Sequence, residues 1–111
     1  MAITRNHQAE YKHWQAEEVR VIEGKAVRFR DICVHTFNVG DAEDPDLYAG
    51  EPIWKWQQTD AGKWIMENAI EPPYWARFID HNQWGYNYKI MARLSEQNIT
   101  YFKLKFSKWN C

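Results

Sequence analysis

The sequence predicts an α+β domain in which one main helix covers one face of a four-stranded, mostly antiparallel sheet, in the order strand-helix-strand-strand-strand. Three observations carry this expectation. Residues 44–69 are the one long segment whose apolar positions recur at helical spacing, and they hold three of the seven tryptophans. Residues 19–39 are rich in β-branched and aromatic side chains. Everything beyond Pro72-Pro73 reads as short alternating strands.

Taken in order, residues 1–18 are polar, with Tyr11 and Trp14 three apart. They read as an arm or a short helix outside a single domain spanning 19–111. Val19 to Val39 reads as extended, with a turn at Glu23-Gly24-Lys25. Its alternation slips near Asp31: Val27 and Phe29 share one face, Ile32 and Val34 the next, as a β-bulge or bend would produce. The pattern leaves open whether 19–22 adds a fifth strand.

Asp44-Pro45-Asp46 marks a helix start, with Asp44 as N-cap and Pro45 at a position that needs no amide donor. Because Pro52 lacks a donor, the reading is a first turn at 45–50 and a main helix over 51–69. Ile53, Trp56, Ala61, Trp64, Ile65 and Ala69 fall on one face, and Lys55, Gln58, Lys63 and Glu67 mostly on the other. Gly62, costly inside a helix, predicts close packing there. Tyr74 to Ile79 is a strand, 80–85 a loop, and YNYKIMARL a strand with Tyr86, Tyr88, Ile90, Ala92 and Leu94 on its inner face. After a turn at 95–98, ITYFKLKF reads as a last strand with Phe102, Leu104 and Phe106 inward.

Composition limits function. A net charge of −1 excludes the overall basicity of a protein that coats nucleic acid. No apolar run is long enough to cross a bilayer, and no signal peptide is visible. Cys33 and Cys111 are expected to be free thiols in a reducing compartment and form no zinc motif. The carboxylates at 41, 43, 44 and 46 are explained by helix capping better than by a bound cation. His35 or His81 with Asp41 or Asp80 would be an acid–base pair only if the fold joined them. No nucleophile elbow, phosphate loop or metalloprotease motif is present. The expectation is a protein that is not an enzyme and needs no cofactor or metal; an active site between the 80–85 and 40–46 loops is the weakest option.

One constellation stands out. If the last strands leave a face uncovered, Trp75, Arg77, Lys89, Arg93, Tyr101, Lys103 and Lys105 gather on it, with Trp84 in the adjoining loop. Rings and cations together suit a protein partner, possibly a second copy, since Trp, Tyr and Arg anchor interfaces. They equally suit single-stranded nucleic acid, where rings stack on bases and cations meet phosphates. A merely solvated sheet face has the same composition. The expectation is a small non-catalytic binding or assembly module for a protein partner; the alternative is a single-stranded nucleic acid binder using the same face.

The stretch VHTFNVGDAEDPDLYAGEPIWKWQQTDAGKWIMENAIEPPYW, with WGYNYKIMARL and YFKLKF, resembles small uncharacterised proteins of tailed T4-like bacteriophages, including marine ones. The resemblance covers most of the chain after residue 30. It implies a virus-encoded protein made in the cytoplasm of a bacterial host, and it carries over no catalytic residues.

Overall fold

Strict alternation in YNYKIMARL sets the middle of the fold. In the computed structural model, which describes residues 3–6, 17–40, 43–79 and 85–106, the elements in chain order are β1 (Thr4–Arg5), β2 (Glu17–Ile22), β3 (Lys25–Asn38), α1 (Asp46–Gln58), α2 (Asp60–Asn68), β4 (Tyr74–Ile79), β5 (Tyr86–Ser95) and α3 (Glu96–Lys105). They form one sheet of order β1-β4-β5-β3-β2. β1 runs parallel to β4, and the other neighbours are antiparallel. Tyr88, Ile90, Ala92 and Leu94 of β5 are fully buried against Ala49, Ile53 and Trp56 of α1, Ile65 of α2, and Ile99 and Phe102 of α3. All three helices therefore lie on one face. Each buried Leu or Ile contributes about 1.5–3 kcal/mol, so this seam dominates the apolar stabilisation.

The fold is α+β, but the sheet has five strands and is mixed, and the helical layer has three helices. The fifth strand left open by the sequence is β2. It turns into β3 at Glu23-Gly24, where both residues have positive φ (51° and 78°), as a two-residue hairpin with the right twist requires. Thr4 and Arg5, expected in an arm, pair with Tyr74 and Trp75 instead. Residues 7–16, with Tyr11 and Trp14, lie outside the described residues. The expected irregularity of the long strand exists, but it falls between Cys33 and His35 rather than near Asp31. Phe29 sits on the face away from the helices, opposite Ser95 of β5.

The expected single helix over 51–69 is two helices and starts earlier. Pro52 lies inside α1, and burial of Ala49, Ile53 and Trp56 around it offsets the ladder bond it removes. Asp44 does not cap: the N-cap is Pro45, which makes no side-chain bond, and Asp46 is turned to another use described below. Thr59 divides the helices. Its extended backbone stops α1, its hydroxyl donates to the Trp56 carbonyl at 2.6 Å, and the same oxygen accepts from the Gly62 amide at 3.0 Å. A Thr that caps in this way starts a new helix. Gly62 is packed as its sequence position suggested, since a Cβ there would lie on the backbone of Trp56.

The largest correction concerns residues 96–105, expected as a turn and a final strand. They form α3. Ser95 ends β5 and caps the helix, its hydroxyl oxygen accepting from the Asn98 amide at 3.2 Å. Phe102 and Phe106 satisfy a helical stripe as well as a strand pattern, while Ile99, three residues before Phe102, fits the helical stripe alone. With Glu96 in the first turn and Lys103 and Lys105 in the last, the charges match the helix dipole. Leu104, expected inward, is 77% exposed.

Candidate interaction surface

Of the eight residues singled out in the sequence, the seven that are described do not gather on one face. Trp75 and Arg77 point to the helical side of β4, where Trp75 packs at the core edge against Tyr88. Arg77 reaches Asp46 at 3.3 Å. Lys89 and Arg93 lie on the opposite, helix-free face, with the Lys89 ammonium 4.6 Å from the centre of the Phe78 ring. Tyr101, Lys103 and Lys105 sit on α3, on the helical side, where Lys105 donates to the Tyr101 hydroxyl at 3.0 Å. Trp84 lies outside the described residues, as do His81, Asp41, Asp80 and most of the 80–85 loop, and with them the expected acid–base pairings.

The cations expected to be free are mostly engaged. On the helix-free face Arg93 donates to the Asp31 carboxylate through Nε at 2.7 Å and reaches Glu18 at 3.4 Å and Glu71 at 3.3 Å. The Asp31 side chain is only 1% exposed and also accepts from the Tyr74 hydroxyl at 2.8 Å. These bonds push the Arg93 pKa further up. Arg20 continues the chain to Glu18 at 2.7 Å and Glu71 at 3.0 Å. On the helical face Asp46 is the hub, accepting from Arg5 at 2.8 Å, Arg77 at 3.3 Å and the Tyr88 hydroxyl at 2.6 Å. Burial first, and that bond second, hold the Tyr88 phenol protonated well above its ordinary pKa. His35 stacks on Trp56 with ring centres 5.9 Å apart, and burial lowers its pKa. Among the described residues no group of three or more His, Cys, Asp or Glu is placed to hold a metal. Cys33, expected as a free thiol, is disulfide-bonded; the chain's other cysteine, Cys111, lies outside the described residues.

Among the described residues, none pairs with the outer edge of β2. The final β3–β5 pair is Phe29 with Ser95, so Lys25–Arg28 of β3 pairs with β2 alone, and the hairpin tip is a two-stranded ribbon. Such ribbons are marginal in water without a further layer or strand. Val19 and Val21 are nevertheless 61% and 76% exposed there, and Ile22 is also exposed. Natural edges are blunted with charged side chains, Pro or bulges; Glu17–Ile22, EEVRVI, has no Pro and no bulge, and its charges are Glu17, Glu18 and Arg20, the last two already engaged with Arg93 and Glu71. Since Ile22 and Lys25 close the two-residue turn as a bonded pair, bonding to β3 falls on Glu18, Arg20 and Ile22. The N–H and C=O groups of Glu17, Val19 and Val21 therefore point outward. The sequence contained this signal in the unprotected VRVI run, but the strand order needed to recognise an edge was absent from it.

Two further apolar patches exist, Leu47, Tyr48 and Trp54 on the outer side of α1, and Tyr101 with Leu104 on α3. A shallow depression beside Trp64 is lined by Asp60, Lys63, Glu67, Lys105 and Phe106. No helix among the described residues is long and apolar enough to cross a membrane. No family model matches the chain, and no curated protein or solved structure matches it either.

Proposed function

We propose that the protein is a small non-catalytic binding or assembly module that takes a protein partner by adding a strand to the free edge of β2. The observation that supports this reading is the run of outward backbone groups at Glu17, Val19 and Val21, with Val19 and Val21 exposed beside them. Main-chain bonds would supply affinity and the flanking side chains specificity, as in other strand-addition complexes. This replaces the aromatic and basic sheet face as the contact surface. Single-stranded nucleic acid binding has less to stand on, because its rings and cations are divided between β4, β5 and α3. The bacteriophage resemblance supplies the setting, an infected bacterial cell.

The reading is tested by placing a photo-crosslinking amino acid at Val21 and irradiating cells that make the protein. A discrete crosslinked species that Val19→Pro abolishes is expected, because proline removes an outward donor and no bond to β3. Crosslinks to water and small molecules alone would overturn it.

A further inference from the structure

We infer that the strand added to β2 is β2 of a second copy, antiparallel, about a two-fold axis normal to the sheet that passes through Val19. This rests on the strand-addition reading above and specifies its partner. Such an axis keeps the helical faces of both copies on the same side, so residues can pair only with residues of like parity. Four registers then pair at least three residues of the strand, centred on Glu18, Val19, Arg20 or Val21, and the first sets the two Glu18 carboxylates opposite each other.

Charge selects among them. Centring on Arg20 sets the two Arg20 guanidinium groups directly opposite each other, and like charges across a pair are unfavourable. Centring on Val21 opposes Val19 to Glu23, which is in the turn with positive φ, and leaves Glu17 without a partner. Centring on Val19 opposes Val19 to Val19 and Glu17 to Val21 twice. All three are pairs of outward residues, so each exchanges two backbone bonds. On the helix-free face the same register sets Glu18 of each copy against Arg20 of the other. That charge pair already forms within one chain at 2.7 Å. The strand is therefore complementary to its own reverse in backbone and in the Glu18–Arg20 charges, with one apolar pair, Val19 on Val19, at the axis. Pairing would turn two five-stranded sheets into one of ten strands and add a third strand beside each two-stranded tip.

The contact is a single short strand pair, below the area of a standard interface, so the dimer should be concentration-dependent. Sedimentation velocity of the purified full-length chain from about 5 to about 500 µM, the range in which small interfaces populate, should show a rising sedimentation coefficient. Hydrogen exchange gives the register. The amides of Glu17, Val19 and Val21 should exchange fast in dilute solution and gain at least about tenfold protection in concentrated solution, as bonded strand amides do. Those of Glu18, Arg20 and Ile22 should be protected throughout. Val19→Pro and Val19→Lys, both at an exposed position, should give monomers with the thermal midpoint of the dilute wild-type chain. If Val19→Pro disturbs the hairpin, Val19→Lys still decides, because it sets two ammonium groups on the axis. A chain monomeric across the range would overturn the second copy; the strand-addition reading survives that outcome if the Val21 crosslink in cells reports a different protein, and falls with it if no crosslink forms. A dimer whose Glu17, Val19 and Val21 amides stay unprotected, as one through the α1 patch would be, also overturns the inference.

Discussion

Arg93→Met tests whether the charges of the helix-free face act as a structural network. Methionine keeps much of the aliphatic stem and removes the guanidinium, and with it the bonds to Asp31, Glu18 and Glu71. The contacts to Glu18 and Glu71 involve partly exposed groups and contribute little, about 0–1 kcal/mol each. The Asp31 contact differs in kind, since that carboxylate is 1% exposed and would lose the guanidinium that Nε holds at 2.7 Å. Breaking such a pair from one side costs about 3–5 kcal/mol, a large part of the roughly 5–15 kcal/mol that stabilises a domain of this kind. At a urea slope of about 1.5 kcal/mol per M, the unfolding midpoint should fall by about 2–3 M. Arg93→Lys should recover only part of this, because an ammonium cannot reproduce the guanidinium fork. The double variant Asp31→Leu/Arg93→Met should be more stable than Arg93→Met alone. A loss below about 1 kcal/mol for Arg93→Met, at unchanged slope, would refute the assignment of Asp31 and Arg93 as a buried pair.

Other expectations follow from single contacts. Gly62→Ala should destabilise by about 1–3 kcal/mol in chemical denaturation, because the added methyl meets the Trp56 backbone, which cannot swing away. His35 has a lowered folded pKa, so its contribution is complete above the ordinary value of 6.5 and fades as pH falls and the unfolded chain takes up the proton. His35→Phe should remove that acid-side slope from a plot of thermal midpoint against pH. Tyr88 shows the opposite sense: its raised pKa keeps stability constant below the ordinary value of 10.0 and loses it above, as the unfolded phenol ionises first. Tyr88→Phe should cost about 0.5–1.5 kcal/mol at neutral pH and flatten the alkaline decline.

Features governed by neighbours in sequence were legible from the sequence alone. The Glu23-Gly24 turn, the burial of alternate residues in β5 and the tight site at Gly62 all follow from local stereochemistry. The misread elements are places where two local rules compete. ITYFKLKF satisfies both a strand and a helix period, and only the Ser95 hydroxyl, acting as a cap rather than as a turn residue, decides for α3. Thr59 likewise resembles any other polar position in a helical run until its backbone is seen to be extended. The expected binding face failed for another reason. Asp31 and Arg93 are 62 residues apart, and Asp46 is 31 and 41 from Arg77 and Arg5, so no local pattern shows which charges are already satisfied. An edge strand, too, is a property of strand order, and order is set by long-range pairing.

The three donors that meet on Asp46 come from three different strands, which imposes a sequence of events on the chain. Among the described residues the two of β1 pair in the sheet with β4, and Arg5 meets the Asp46 carboxylate only once the first turn of α1 stands beside β4 and β5. The first strand in the chain is therefore the last to acquire its native neighbours and the first to give them up. Native-state proteolysis should release the amino-terminal segment well before it cuts the β3–β5 centre, and neutralising Asp46 should widen that interval.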